Sequence, residues 1–248
     1  IIGALIASII WFAPFFSFPI LCLISIVLTI FLVKEPEMKG EKMTVVEFVE
    51  SLKLTFKREG RWLYSIFVVG GICMFVLFGI LFYLSTMLEE TYRIDGVRKG
   101  IVLAIPLAAL CFSSFATGKA IGEDKIKMKW FTVFGLSLLT VAVFVISFSK
   151  DIYILLNGLL ASGIGIGFAL PCLDAMITQG IEMSQRGSIT SFYSSMRFVG
   201  VALGPPTFAL LMKKSHFLLF SLSACISLVA VIIVLFAIKP EQTLKITW

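Results

Sequence analysis

From Ile152 to Met212 the chain reads IYILLNGLLASGIGIGFALPCLDAMITQGIEMSQRGSITSFYSSMRFVGVALGPPTFALLM, and the punctuation of this stretch decides the fold. Two runs, Ile152–Leu173 and Ser188–Met212, are each long enough to cross a hydrocarbon core, which takes about 20 predominantly apolar residues. A short polar turn around Arg186 separates them. Glycine recurs at Gly158, Gly163, Gly165 and Gly167 in the first run and at Gly200 and Gly204 in the second. Glycine at such spacing lets helix backbones approach closely in a membrane. Pro205 removes a backbone donor and introduces a kink that packing or gating can use.

Outward from this pair, the same reading gives spans at Phe15–Val33, Trp62–Leu88, Ile101–Thr117, Trp130–Phe148 and Phe217–Ile238. Segments this apolar are helical, because an unpaired backbone group in hydrocarbon costs several kcal/mol. No period-two alternation points to a β-barrel. The fold class expected is therefore all-α, a polytopic transmembrane helical bundle. Composition agrees: of 248 residues, 59% are apolar and 15% charged, against about 45–50% and about 25% for a soluble domain. The mean hydropathy is +1.03. No soluble core of this size hides so much apolar surface, so the lipid bilayer is the first expected partner. A net charge of +6 is then a matter of loops rather than of nucleic acid, for which no role is expected.

Trp62–Leu88 is long for one crossing, so it is expected to tilt, to bend at Gly70-Gly71 or Gly79, or to project. Before it, Lys34–Arg61 is the only sizeable polar segment. Thr44 and Glu47 have capping-box spacing, with Met43 and Phe48 placed for a hydrophobic staple. Val45, Phe48, Val49, Leu52 and Phe56 recur at helical period, which predicts a short amphipathic helix on the membrane surface or against the bundle ends. Lys34–Arg61 carries seven Lys or Arg and Gly118–Lys129 four, whereas the opposite loops hold Arg93, Arg98, Lys99, Lys150, Lys213 and Lys214. The richer side is the cytoplasmic one, although the balance leans on the one long segment. The expected location is thus a cell membrane, multi-pass, with linker and C-terminal tail cytoplasmic. The chain opens on Ile1-Ile2-Gly3, neither a signal peptide nor a natural start, and Ile1–Ile10 reads as the end of an earlier span.

Arg197 is the charged side chain inside the predicted spans, and Asp174 stands one residue past the end of Ile152–Leu173, on the same helix. An ionisable group in hydrocarbon faces a cavity or a partner, so the two are expected to pair across helices and lock one conformation. The bland alternative puts Asp174 at the headgroups and lets Arg197 snorkel along its own stem. Proton carriage by Asp174 is a third reading, opposed by an Arg neighbour that favours the carboxylate. Cys22, Cys73, Cys111, Cys172 and Cys225 read as buried, unpaired and non-ligand. No His-Glu-x-x-His, phosphate-binding loop or Cys/His cluster is present, and Phe217–Ile238 offers no Lys for a Schiff base, so no enzyme, no cofactor and no metal site are expected. The single histidine, His216, is expected to be solvated at a turn.

Arg186-Gly187, Ser191, Arg197, Gly200, Gly204 and Pro205, following the glycine-rich helix and Pro171, resemble a run found in the major facilitator superfamily. The narrower resemblance is to its proton-coupled drug and metabolite exporters. It implies that the spans correspond to helices six to twelve of such a transporter, with Ile1–Ile10 ending helix five. The implied organisation is 1–33 as the end of an N-terminal bundle, 34–61 as a cytoplasmic linker, 62–238 as the C-terminal six-helix bundle and 239–248 as a tail. The N-terminal half of the same protein, a small-molecule substrate and protons as coupling ion are the implied partners. Gly118, Arg186, Gly187, Gly200, Gly204 and Pro205 would then serve gating and helix packing. The family's loop motif G-x-x-x-D-R-x-G-R-R is only partly matched: Asp124 falls two residues late and Lys125 replaces Arg. Asp124 or Glu123 would sit against a helix N-terminus and stabilise one state through its dipole; a solvated charged turn is the alternative.

The resemblance implies secondary transport by alternating access, with helices seven and ten lining a central site. Phe75, Phe78 and Phe82 share one helix face, Asn157 is a rare polar group in its span, and Tyr193 adds a hydroxyl. An aromatic wall with few donors suits an amphipathic substrate, which makes export of drugs or similar small molecules the leading expectation. A facilitator or symporter of a small polar metabolite, and a non-transporting scaffold or receptor, are the alternatives.

Overall fold

The computed structural model describes residues 12–32 and 45–238. Among these are seven helices and no strand: α1 Ala13–Leu32, α2 Val45–Glu90, α3 Gly96–Ile121, α4 Lys125–Ile146, α5 Ile152–Gly180, α6 Met183–Met212 and α7 His216–Ala237. Helices α2 to α7 each contain a stretch long and apolar enough to cross a membrane. In α1 the comparable stretch is Pro19–Leu32, shorter than the crossing expected over Phe15–Val33. The described side chains of α1 are exposed. The expectations for Ile1–Ile10, for Met43 and Thr44 and for the tail 239–248 lie outside the described residues, as do the side chains of Val45, Phe48, Val49 and Leu52.

Helix α2 settles the question of the long span. It has 46 residues, about 69 Å at 1.5 Å per residue, and it projects rather than ending at the bilayer. The amphipathic helix expected in the linker is no separate element but its first third. That stem is tied to the bundle by Phe56, whose ring lies 5.4 Å from Tyr64, 6.2 Å from Phe67 and 5.9 Å from Phe192.

The bundle is organised around α5, and its glycines explain how. Gly158 and Gly165, seven residues apart, face α4: a Cβ at Gly165 would meet the Gly135 carbonyl oxygen at 2.5 Å, and one at Gly158 would meet Ile146 at 2.5 Å. Gly163 and Gly167, four apart, face α3, where a Cβ would run into the Pro106 carbonyl and the Ser113 hydroxyl. One helix thus presents two glycine faces to two neighbours, and dispersion across the close-packed seams replaces the hydrophobic drive that lipid cannot supply. Helix α7 closes the other side of α4, and α6 lies mainly along α2.

Four contacts gather one end of the bundle. Thr55 of α2 bonds to Gln185, the Gln179 amide donates to the Gly122 carbonyl at 3.3 Å, and Arg61 and Lys129 donate to the last carbonyls of α7, Phe236 at 3.5 Å and Leu235 at 2.9 Å. Cations on a helix C-terminus complement its dipole. The linker stem, the α3–α4 turn, the α5–α6 turn and the end of α7 therefore share one level, as the span count requires. Gly122, at φ +52°, makes the left-handed turn that starts α4 so soon after α3. Only Cys73 and Cys172 of the five cysteines are buried; Cys22, Cys111 and Cys225 are exposed, and all are unpaired. Apolar sequence context did not separate core-facing from outward-facing positions.

Candidate functional site

The site is built on the seam between α2 and α6. A Cβ at Gly200 would strike the Gly71 carbonyl, and one at Gly204 would lie 2.7 Å from the Phe75 carbonyl oxygen. Those two glycines let α6 press on α2, and α2 answers with Gly70 and Gly79, which seat the rings of Tyr193 and Phe208. Tyr193 is 1% exposed. Its ring lies 6.2 Å from Phe67, and its hydroxyl makes no hydrogen bond among the described residues. Asp174 of α5 lies beside that hydroxyl.

One turn beyond Tyr193, the Arg197 guanidinium sits 5.4 Å from the tyrosine ring centroid and places Nη1 3.5 Å from Asp174 Oδ1. Helix side chains lean toward their own N-terminus. The two helices run oppositely across this short turn, so Arg197 leans toward the linker end and Asp174 away from it, and they meet. The two side chains that the sequence singles out thus stand as a pair between the helices. It is a loose pair: the side chains are 27% and 48% exposed, so it contributes at most about 1 kcal/mol where water reaches it. Its value is to join α5 to α6, which otherwise touch little.

The aromatic face is partly brought to this group. Phe75 is half-buried, with Phe208 edge-on at 5.9 Å; Phe78 is exposed and Phe82 half-buried. Asn157 lies elsewhere. It is exposed, its Nδ2 donates to the Tyr153 carbonyl at 2.9 Å, and it lines a groove of about 370 Å³ walled by α4 and α5 through Leu138, Val141, Val145 and Tyr153. None of Phe75, Phe78, Phe82 and Tyr193 enters that groove.

The remaining predicted positions divide. Asp124 caps α4, accepting from the backbone N–H of Ile126 at 3.0 Å and Lys127 at 3.1 Å. The Lys127 N–H, with the Ile126 N–H and the Lys127 ammonium, holds its carboxyl below the ordinary carboxylate range. Arg186 donates through Nη2 to the Ile181 carbonyl at 3.4 Å, folding the α5–α6 turn. Gly118 and Gly187 have open space where a Cβ would stand. Helix α6 is continuous through Pro205 and Pro206. Gly70, Gly71 and Gly79, read from sequence only as places for a bend, are instead the α2 half of the seam; their pairing with Gly200 and Gly204 was the available signal. His216 overturns its expectation: it is half-buried, with Tyr83 Oη 2.8 Å from Nδ1 and the Ile146 carbonyl oxygen 2.8 Å from Nε2. Nothing in an isolated His-Phe-Leu-Leu reveals partners 70 and 133 residues away.

Six long apolar helices, glycine seams and a charge pair between two of them define a multi-pass membrane protein with transporter architecture. The chain matches the sequence model of the Major Facilitator Superfamily over residues 1–205 and 123–247, and it belongs to that family of membrane transporters. It is 51% identical over 243 residues to the bacillibactin exporter of Bacillus subtilis (strain 168), an alignment covering 98% of this chain and 60% of that protein. The chain thus spans about 60% of the length of the curated relative it matches.

Proposed function

We propose that this chain forms the C-terminal part of a proton-coupled exporter of amphipathic small molecules, working by alternating access, with bacillibactin or a similar molecule as substrate. The observation that carries the reading is the 51% identity to a bacillibactin exporter along nearly the whole chain. Geometry supports it. Helices α3 and α6 pack on one side only: Phe112, Phe115, Phe198, Leu203 and Leu210 are exposed, as befits helices that meet a second half across a shared passage. The half-exposed Asp174–Arg197 pair lies between α5 and α6 and would hold one of the two states. Phe75, Phe78, Phe82 and Tyr193 would supply the apolar wall, and Asn157 a polar contact on a separate face. Gly118, Asp124, Arg186 and Gly187 would act at the end where the linker lies. The linker and the C-terminal tail face the cytoplasm in this reading, supported by the basic residues gathered at that end.

The test is release of bacillibactin from cells that lack their own exporter and carry the intact transporter. Release is expected to be restored, to collapse when the proton gradient is dissipated, and to be lost in Arg197→Gln while the protein still reaches the membrane. Lipophilic, weakly polar compounds should compete. Competition by sugars or amino acids alone would favour a metabolite carrier, and no flux under any gradient would leave a scaffold.

A further inference from the structure

At the end of the bundle opposite the linker, one side chain joins three helices. His216 opens α7, Ile146 closes α4, and Tyr83 lies in α2, where it is 8% exposed. The imidazole reaches both of the others at 2.8 Å and is packed by Phe220, whose ring centroid lies 4.7 Å away and 5.0 Å from that of Tyr83. The Ile146 carbonyl can only accept, so Nε2 carries the hydrogen. In the neutral ring Nδ1 is then a bare lone pair, and the Tyr83 hydroxyl donates to it. Every polar atom of the clasp is used, and only in this tautomer.

We propose that His216 is a positioning residue, a clasp that holds the far end of α2 against α4 and α7 while its ring is neutral and lets go when it is protonated. A proton on Nδ1 turns that nitrogen into a donor. Tyr83 can then only accept, and its own hydrogen loses the acceptor that Nδ1 gave it in a buried setting. The bond to Ile146 survives in either state, so the Tyr83 contact is the one that titrates. The charged ring also sits at the N-terminus of α7, where the helix dipole disfavours a cation, next in the chain to Lys213 and Lys214. Tyr83 is the titratable group bonded to the ring; the adjoining α4–α5 turn brings Lys150 and Asp151, one of each sign. Histidine is the side chain whose ordinary titration spans the pH on either side of an energised membrane. Tyr83 directly follows Phe82, so its release frees the end of the aromatic face on α2. That consequence rests on the transport reading; the clasp itself does not.

The experiment uses the intact transporter in lipid vesicles and needs no substrate. Spin labels at Glu90→Cys and Leu218→Cys, in a background without the exposed cysteines, report the separation of α2 from α7 across pH. Solid-state NMR of labelled histidine reports the imidazole, assigned by the signal that His216→Gln removes. The labels should separate with the same midpoint as the His216 titration. Tyr83→Phe removes the bond from α2 to the neutral ring, so the labels should stand apart at every pH, while the imidazole midpoint should rise by about one pH unit, about tenfold in proton affinity. His216→Gln keeps an N–H for Ile146 and a carbonyl for Tyr83 without a titrating atom, and should stay clasped at every pH. A separation in the unsubstituted protein that does not track the imidazole, a pH step that persists in His216→Gln, or a persisting step or an unmoved imidazole midpoint in Tyr83→Phe would each overturn the clasp. Absence of flux in the same vesicles would count against the transport reading alone.

Discussion

Helices α5 and α6 are neighbours in sequence and nearly equal in length, 29 and 30 residues, yet they solve different problems. Helix α5 buries fourteen residues between Leu155 and Gly180, spread over the faces turned to α3 and α4, whereas α6 buries only Ile189, Tyr193, Gly200, Gly204 and Phe208. Buried positions on α6 fall at spacings of four, seven, four and four, a single stripe against α2. The rest of its circumference is open and largely apolar, from Phe192 through Phe198 to Leu210, with Ser195 and Arg197 among the polar exceptions. A helix buried on two faces belongs to the interior of its own half. A helix with one glycine stripe and an open apolar remainder is built to meet lipid or a further protein surface. Hydropathy alone ranks both simply as spans; the position of the glycines tells them apart.

Glycine substitution gives the largest test of this contrast. At Gly165 a Cβ would meet the Gly135 carbonyl oxygen at 2.5 Å and the Leu139 backbone nitrogen at 3.0 Å; at Gly200 it would strike the Gly71 carbonyl. Backbone cannot swing aside as a side chain can, so Gly165→Val and Gly200→Val should each cost about 3 kcal/mol or more. Thermal unfolding of the purified protein in detergent is the measurement. Gly118→Ala and Gly187→Ala, both helical and both in open space, should be neutral or stabilising by about 0.5–1 kcal/mol, the ordinary helix-propensity gain. Equal losses at all four sites would erase the distinction between seam and surface.

Much of this was legible beforehand, for reasons that differ by residue. The spans were readable because lipid forces backbone pairing inside each segment, which leaves helix as the local solution. Asp174 and Arg197 were readable because two charges in an apolar context must find each other or water. Glycine spacing showed that helices approach closely, but not which helices: Gly158 and Gly165 turn to α4 and Gly163 and Gly167 to α3, and only three-dimensional packing assigns them. The linker helix could not be seen to merge with the span after it, because the charged run 57–61, with Gly60 inside it, separates the amphipathic repeat from the apolar one, and amphipathic periodicity carries no signal for continuity. Exposure of Cys22, Cys111 and Cys225 escaped for the same reason that α6 did: in a membrane protein an apolar residue is as much at home outside as inside.

Tyr193 sharpens the comparison at its narrowest point, where the α6 stripe comes closest to α5. Its hydroxyl is buried beside Asp174 and makes no hydrogen bond among the described residues, while its ring fills the space that Gly70 leaves. Tyr193→Phe keeps the ring and removes the unpaired group, so the fold should be unchanged or gain up to about 1 kcal/mol. Tyr193→Ala empties the seam and should cost about 3–5 kcal/mol. The two unfolding midpoints, measured side by side, separate packing from polarity. A loss in Tyr193→Phe as large as in Tyr193→Ala would mean that the hydroxyl holds α5 to α6 and that the Arg197 pair does not act alone.

The smallest effect lies at the helix starts, where the contrast continues. Asp124 caps α4, the partner of α5, and Asp151 caps α5 itself by accepting from the Tyr153 N–H at 2.9 Å, while Glu182 before α6 makes no side-chain cap. Asp124 is held below the ordinary carboxylate range chiefly by the Lys127 backbone N–H. A carboxyl lowered by folding stabilises the native state wherever it is ionised in both states. That contribution is whole above the ordinary carboxylate range and fades as pH falls through the lower, folded value. Asp124→Asn, which still accepts at the cap, should therefore leave the unfolding midpoint near neutrality almost unchanged and flatten its decline in acid. Glu182→Asp should move the other way, raising stability by about 0.5–1 kcal/mol by giving α6 the cap that α4 and α5 already have. An acid limb identical in Asp124→Asn and the unsubstituted protein would show that the start of α4 is held by packing against α5 and not by its cap. The glycine seams would then be the sole source of the difference between the buried helix and the open one.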